Sequence, residues 1–276
     1  MSISAQLPIV IRELETCAEF RAVEDMQREV WEIPDLDVVP LYQLVAAKES
    51  GGVLLGAFHD QVMVAFVYGF VGLERGATVH HSHMLAVKKD WRSKDIGWRL
   101  KLAQRERVLD QGIKVMTWTF DPLRSLNAHF NFNKLGVVAD RYYVNFYGDD
   151  ASSPLHRNGT DRFWVLWDLN SENVRRRISE CEPPPPDMEA PVAVAMGETG
   201  GPQIINLGPS SSDRCVRVQI PENIGVMEIE NFELAEAWRS ATREAFKGLL
   251  QEGFVVDGYF WQAGVGNYTL TRKSAA

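Results

Sequence analysis

Two apolar runs, Val53–Phe58 and Val62–Val71, are separated only by His59, Asp60 and Gln61. Both are rich in Val, Leu and Phe, and a short polar break between two such runs predicts a β-hairpin. A hairpin is an antiparallel pair, so a sheet containing it cannot be purely parallel. The other segments narrow the choice further. Residues 7–16 open with a β-rich stretch, and Phe20, Val23, Met26, Val30 and Trp31 recur at helical spacing until Pro34 and Asp35 break the pattern. A short helix is expected over Leu41–Lys48, a strand over Ser82–Val87 and a helix over Trp98–Leu109 with Gly112 beyond its end. Val115–Phe120 reads as a strand, Leu123–Leu135 as a helix stopped by Gly136, and Arg141–Tyr147 and Phe163–Leu169 as strands. The order β, α, α, β, β, β, α, β, α, β, β predicts a mixed α/β (α+β) sheet.

The 276 residues are enough for one elaborated domain or two modest ones. The sharpest break is Pro183–Pro186, followed by Pro191, Gly197, Gly200, Gly201, Pro202 and Ser210–Ser212. Such composition favours extended, weakly ordered chain. The expected organisation is therefore a first domain over 1–179, a linker or arm over 180–212, and a small C-terminal β-α-β-β unit over 213–276. In that last unit Asn231 is a good N-cap, Gly253 a stop, and Leu234, Trp238, Ala241, Ala245 and Leu249 an apolar stripe. About 60 residues are marginal alone, so this unit is expected to dock on the first domain or build a homodimer. Arg175, Arg176 and Arg177 read as an exposed helix end.

Charge and cysteine content exclude several classes. A net charge of -8 disfavours a globally basic nucleic-acid binder. Cys17, Cys181 and Cys215 are too far apart for a disulfide framework or a zinc half-site. The longest uncharged run, Gln61–Leu73, is shorter than the roughly 20 residues of a membrane span. Met1–Val10 is mildly apolar, but Arg12, Glu13 and Glu15 follow at once, unlike a secretory signal. The expected compartment is the cytoplasm.

One segment breaks the acidic trend. Between Lys88 and Arg107 stand eight basic residues and three acids, a local excess of +5. The stretch runs from a strand through a polar loop directly into a helix. Four backbone N–H groups at a helix start lack intrahelical partners, and with the helix dipole they attract phosphate. The alternative is a solvated amphipathic helix.

The order of residues here, Arg92-Ser93-Lys94-Asp95-Ile96-Gly97 after the strand Met84-Leu85-Ala86-Val87, resembles motif A of the GNAT superfamily of acyl-CoA-dependent N-acyltransferases. That motif reads Arg/Gln-x-x-Gly-x-Gly/Ala. The resemblance covers about residues 7–169 and includes Ile9-Val10-Ile11-Arg12, the hairpin, and Asn133-Lys134-Leu135-Gly136-Val137. It implies a GNAT-like fold with a small C-terminal α+β extension, and acetyl-CoA or another acyl-CoA as co-substrate. It also implies that Arg92, Ser93, Lys94, Asp95, Ile96, Gly97 and Trp98 hold the pyrophosphate, largely through backbone amides. Leu85, Ala86 and Val87 would pair with the pantetheine arm like an added strand. Strands Ser82–Val87 and Val115–Phe120 would splay to admit the thioester, with Asn127 and Phe132 on the coenzyme side of the fourth helix. The sequence departs from the family at Asp95, where glycine is usual, at Phe132, where a proton-donating tyrosine is frequent, and at Ser125, where asparagine is frequent.

An amine must lose a proton to attack a thioester, so a base is expected. In His80-His81-Ser82-His83, strand alternation puts His81 and His83 on one face and His80 on the other. His83 is the first candidate and His81 the second; the alternative is that they are hydrogen-bonded sheet residues. Asp121, closing the fifth strand, is a third candidate, or else a cap for the next helix. Asn127 and Asn131, four apart, are expected to share a helix face, and Tyr142 or Tyr143 to replace the missing thiolate acid. The histidine cluster shows no third ligand, so no metal is expected. The partners implied are an acyl-CoA and a small amine or amino-acid acceptor, without nucleic acid or membrane.

Overall fold

The structure is a computed structural model of the 276-residue chain and describes residues 8–148, 153, 156–180, 183, 185–210 and 212–273. Leu7, Cys181, Pro184 and Ser211, which entered the sequence reading, lie outside the described residues. The chain divides into two compact units. One holds Met1–Thr117 with Ser152–Pro154, the other Trp118–Ala151 with Leu155–Ala276. The mixed α/β class expected from the hairpin and the helix-rich order is what forms.

In the first unit β1 (Ile9–Glu13), β2 (Val53–His59), β3 (Val62–Glu74) and β4 (Ala77–Val87) form an antiparallel run in chain order. β5 (Val115–Phe120) starts parallel to β4. The β3–β4 connection is a tight turn with both Arg75 and Gly76 at positive φ, which matches the right-handed twist of the flanking strands. This turn extends both strands beyond their expected ends.

Helices α1 (Cys17–Trp31) and α2 (Leu41–Glu49) cover one face. Thr16 and Glu19 cap α1 reciprocally. Phe20, Val23 and Met26 of α1 and Leu41 and Leu44 of α2 then pack on Leu54, Phe58, Phe66 and Tyr68. Each large side chain so buried contributes about 1.5–3 kcal/mol. α3 (Ile96–Asp110) lies against β2, β3 and β4 with Ile96, Leu100 and Val108 buried. Gly112, at φ 77, follows its end as expected.

The second unit carries a sheet in the order β7 (Arg162–Asp168), β6 (Val138–Tyr143), β11 (Phe254–Gln262), β12 (Val265–Arg272), β10 (Cys215–Pro221), β8 (Val192–Met196), β9 (Pro202–Ile204). Among the described residues of this unit, only β8 and β10 pair in parallel. Its helices are α4 (Ser125–Ala128), α5 (Glu172–Glu180), α6 (Ile224–Glu230) and α7 (Phe232–Gln251). Asn231 caps α7 by accepting from Leu234 N at 3.1 Å, and the stripe Trp238, Ala241, Ala245, Leu249 is buried. Phe132, Phe163, Phe246 and Tyr268 form an aromatic core with ring centroids 4.7–5.7 Å apart.

Three features differ from the sequence reading. The stretch read as an arm contains β8 and β9, and Gly200 O accepts a hydrogen bond from Trp238 Nε1 at 2.9 Å. The C-terminal strands join an earlier one, since Val256 of β11 pairs with Ala139 of β6. Arg177 is 1% exposed, unlike its neighbours Arg175 and Arg176. Its stem lies over Gly136, where an added Cβ would come within 2.9 Å of Arg177 Cγ and where φ is 71. A helical position facing inward overrides the solubility of a charged triplet.

Candidate functional site

β4 is irregular where the sequence places its histidines. Tyr68 pairs with Met84 and Phe70 with His81, so two steps on β3 span three on β4. The extra residue makes a bulge at Ser82 and His83. Gly69 faces it across the ladder, and an added Cβ would lie 2.3 Å from His80 Nε2 and 2.7 Å from His81 O. Only glycine permits that approach. Along its other edge, β4 pairs with β5 at His80–Met116 and His81–Thr117. Among the described residues that ladder goes no further, so Met84, Leu85, Ala86 and Val87 pair on one side, with β3. A strand edge of this kind accepts an extended ligand through backbone hydrogen bonds.

The chain then enters a short 3₁₀ turn, Lys89–Trp91, and a sharp loop. Ser93 and Asp95 are both left-handed, at φ 60 and 54, and α3 starts at Ile96. The left-handed turn expected at Asp95 thus forms without glycine, and Asp95 makes no side-chain cap on the helix. Arg92, Ser93, Lys94 and Asp95 are exposed, Ile96 is buried, and Gly97 and Trp98 are half-buried. Arg92 Nε donates to Val87 O at 3.2 Å and Lys94 Nζ to Asp90 O at 2.8 Å. Lys94 also lies 4.6 Å from the Trp91 ring centroid. These contacts hold two cations beside the first turn of α3, where the backbone donors are.

His81 and His83 share a face, as alternation requires, with ring centroids 6.2 Å apart; Phe70 lies 5.4 and 5.8 Å from them. His81 Nδ1 is 3.0 Å from Thr117 Oγ1. Burial first, then His83 and Lys101, push the His81 pKa down to about 4. His83 is exposed to solvent, yet the protein around its ring also lowers its pKa. Both are therefore neutral near pH 7, the state a base requires.

His80 points to the opposite face and joins a buried polar chain. Lys101 Nζ donates to Ser82 Oγ at 2.7 Å, Ser82 Oγ donates to Gln104 Oε1 at 2.8 Å, and Gln104 Nε2 is 3.2 Å from His80 Nε2. Burial pushes Lys101 down to about 7, and burial with the Lys101 and His81 charges pushes His80 to about 3. Sequence reasoning counted Lys101 among surface cations and missed this chain. The available signal was spacing, because Lys101 and Gln104 fall on the same α3 stripe as Leu100 and Val108.

In the second unit Asp121 has the capping role. Its Oδ1 accepts from Leu123 N at 3.0 Å, and Arg239 grips both oxygens at 2.7 and 2.8 Å. Although burial pushes its pKa up, Arg239 and Arg124 hold it down at about 2. A carboxylate so committed is a poor base. Asn127 is exposed, whereas Asn131 is buried and accepts from Trp118 Nε1 at 3.1 Å. The expected shared face is therefore not a wet one: one amide is turned to solvent and the other to the interior, and from His129 to Leu135 the helix is of the wider π type. Phe132 is fully buried against Phe120 and Tyr268. Tyr142 turns inward to Asp161, and Tyr143 packs on Phe146 and Trp164.

No family model matches the sequence, and no curated protein sequence matches it. Solved structures similar to the chain include several acetyltransferases. Aminoglycoside 6'-acetyltransferase type Ii is 18% identical at TM-score 0.47, covering 59% of this chain and 98% of its own. A GNAT-family acetyltransferase from Elizabethkingia anophelis with acetyl-CoA bound is 15% identical at TM-score 0.46, covering 58% and 97%. One from Streptococcus pneumoniae is 14% identical at TM-score 0.45, covering 58% and 98%. The element order through β7 and the polar loop running directly into α3 are those expected from the sequence. Among the described residues no helix is long and apolar enough to cross a membrane.

Proposed function

We propose that the chain is an acyl-CoA-dependent N-acyltransferase that moves an acetyl or other acyl group to the primary amine of a small molecule or amino acid. The observation that carries this reading is the continuity of the one-sided β4 edge, Met84–Val87, with a left-handed turn, two anchored cations and a helix start. Backbone N–H groups from Ser93 to Gly97, with Arg92 and Lys94, suit a pyrophosphate, and Leu85, Ala86 and Val87 suit a pantetheine amide chain.

The neutral His83 accepts a proton from the amine as its nitrogen bonds to the thioester carbonyl. The C–S bond breaks, and the departing thiolate takes up a proton to give free coenzyme A. Direct attack fits a chain in which Cys17 and Cys215 both lie off the β4–α3 segment.

A second reading is favoured by Phe132, which is buried and has no proton to give: a module that binds acyl-CoA as a sensor or assembly subunit without turnover. Calorimetric titration with coenzyme A, paired with thiol release across an amine panel, separates the two. Binding with thiol release supports the enzyme, and binding without it supports the sensor. Failure to bind any acyl-CoA sinks both.

A further inference from the structure

The faces of β4 change over partway along the strand. His80 and Ser82 face α3, where Gln104 and Lys101 meet them. Leu85 and Val87 also face α3, lying 3.5 and 3.8 Å from the place of a Cβ on Gly97. His81 and His83 face the other way, toward Phe70. So do Met84 and Ala86, which pack in the core under α1 and α2 with Phe66 and Tyr68. His83 and Met84 are consecutive yet share a face, which strict alternation forbids. The bulge permits it. Without the extra residue, keeping Ala86 in the core would send His83 to the α3 side.

Gly69, across the ladder, leaves room for the bulge but has no side chain to grip it. The grip comes from α3. Ser82 Oγ accepts from Lys101 Nζ at 2.7 Å and donates to Gln104 Oε1 at 2.8 Å, and Gln104 Nε2 also reaches His80 Nε2 at 3.2 Å. Lys101 and Gln104 stand three apart, so one helical turn presents both. The strand is thus pinned at two points on its α3 face, the second immediately before His83. All four side chains are at most 4% exposed. Replacing such a buried polar set by apolar groups of the same shape is often neutral or stabilising, so stability alone does not account for it.

We infer that His80, Ser82, Lys101 and Gln104 are positioning residues, which lock the β4 bulge in place and so aim His83 to the face opposite α3. The consequence for turnover rests on the acyltransferase reading; the lock on His83 does not.

Four variants of the full-length protein test this. Ser82→Ala removes the shared hydroxyl and Ser82→Thr keeps one. Gln104→Met and Lys101→Met remove polar ends at nearly unchanged volume, and carry the test if Ser82→Ala does not fold. Each is compared with wild type by steady-state thiol release and by calorimetric titration with coenzyme A, which also reports folding. Ser82→Ala, Gln104→Met and Lys101→Met should lower kcat about 10- to 100-fold, as expected when a reacting group shifts by about 1 Å. Coenzyme A affinity should stay unchanged, and Ser82→Thr should recover most of the rate. In a His83→Ala background the same substitutions should cost nothing further, because they act through His83. Full additivity there overturns the inference.

A second measurement needs no turnover: the proton NMR titration of the His83 ring, assigned by its loss in His83→Ala. Its pKa, held below 6.5 by the surrounding protein, should rise toward that value in Ser82→Ala and Gln104→Met. A shifted titration in a protein that releases no thiol would uphold the lock and end the acyltransferase reading. Variants that bind coenzyme A with kcat and the His83 titration both unmoved overturn the inference and leave the acyltransferase reading standing.

Discussion

A histidine serves as base only if it is neutral when the amine arrives and reaches solvent or substrate. His83 meets both conditions, and His81 is more enclosed and tied to Thr117. His83→Ala should therefore lower turnover about 100-fold or more while leaving coenzyme A affinity unchanged. Steady-state kinetics with calorimetry check this, and unchanged turnover removes His83 as base. Lys101 makes a different residue-scale prediction. Its pKa falls from 10.5 to about 7 on folding, so between those values the unfolded chain binds more protons. Stability is then fully present above pH 10.5 and declines as pH drops toward 7, by up to about 1.4 kcal/mol per unit. His80 and His81 add a further loss below pH 6.5. Lys101→Met should flatten the upper window and spare the lower one, as measured by urea unfolding from pH 5 to 10. An unchanged slope above pH 7 would contradict the burial of a neutral amine.

Elements whose signals are local could be read from sequence. The hairpin, the Asn231 cap of α7 and the polar loop into α3 each follow from neighbouring residues. The β4 bulge could not be read, because the extra residue at Ser82–His83 exists only relative to Tyr68 and Phe70 on another strand. Nor could the π-helix at His129–Leu135, since an i→i+5 pattern leaves the same apolar residues facing inward. The loop offers an element-scale prediction. Asp95 occupies a left-handed conformation at φ 54, which glycine adopts without the Cβ penalty, and it brings a negative charge beside the first turn of α3. Asp95→Gly should stabilise the protein by up to about 1 kcal/mol and tighten coenzyme A binding several-fold. The gain in affinity should shrink at 0.5 M salt, because it is electrostatic. Affinity that falls in the variant would mean that the carboxylate supports the turn rather than opposing the ligand.

At the scale of the whole molecule, composition misleads most. The prolines and glycines of 180–212 mark a boundary in sequence, yet Val192–Met196 alternates as a strand and pairs with β10 and β9. The compact units divide instead at Thr117 and Trp118, within β5, where nothing in the composition changes. The consequence concerns a chain ended after residue 212. It would lose β10, α6, α7, β11 and β12, and with them one of the two strands beside β6 and one of the two beside β8. Asp121 would lose Arg239 and Asp161 would lose Arg243, leaving two buried carboxylates without their paired guanidiniums. Breaking one buried pair costs about 3–5 kcal/mol, and two such losses rival the 5–15 kcal/mol that holds a domain folded. The truncated chain should therefore fail to fold over 118–180. Loss of the cooperative near-ultraviolet melt from Trp118, Trp164 and Trp167 is the expected signature, and an intact melt would restore 213–276 to the status of a separable unit.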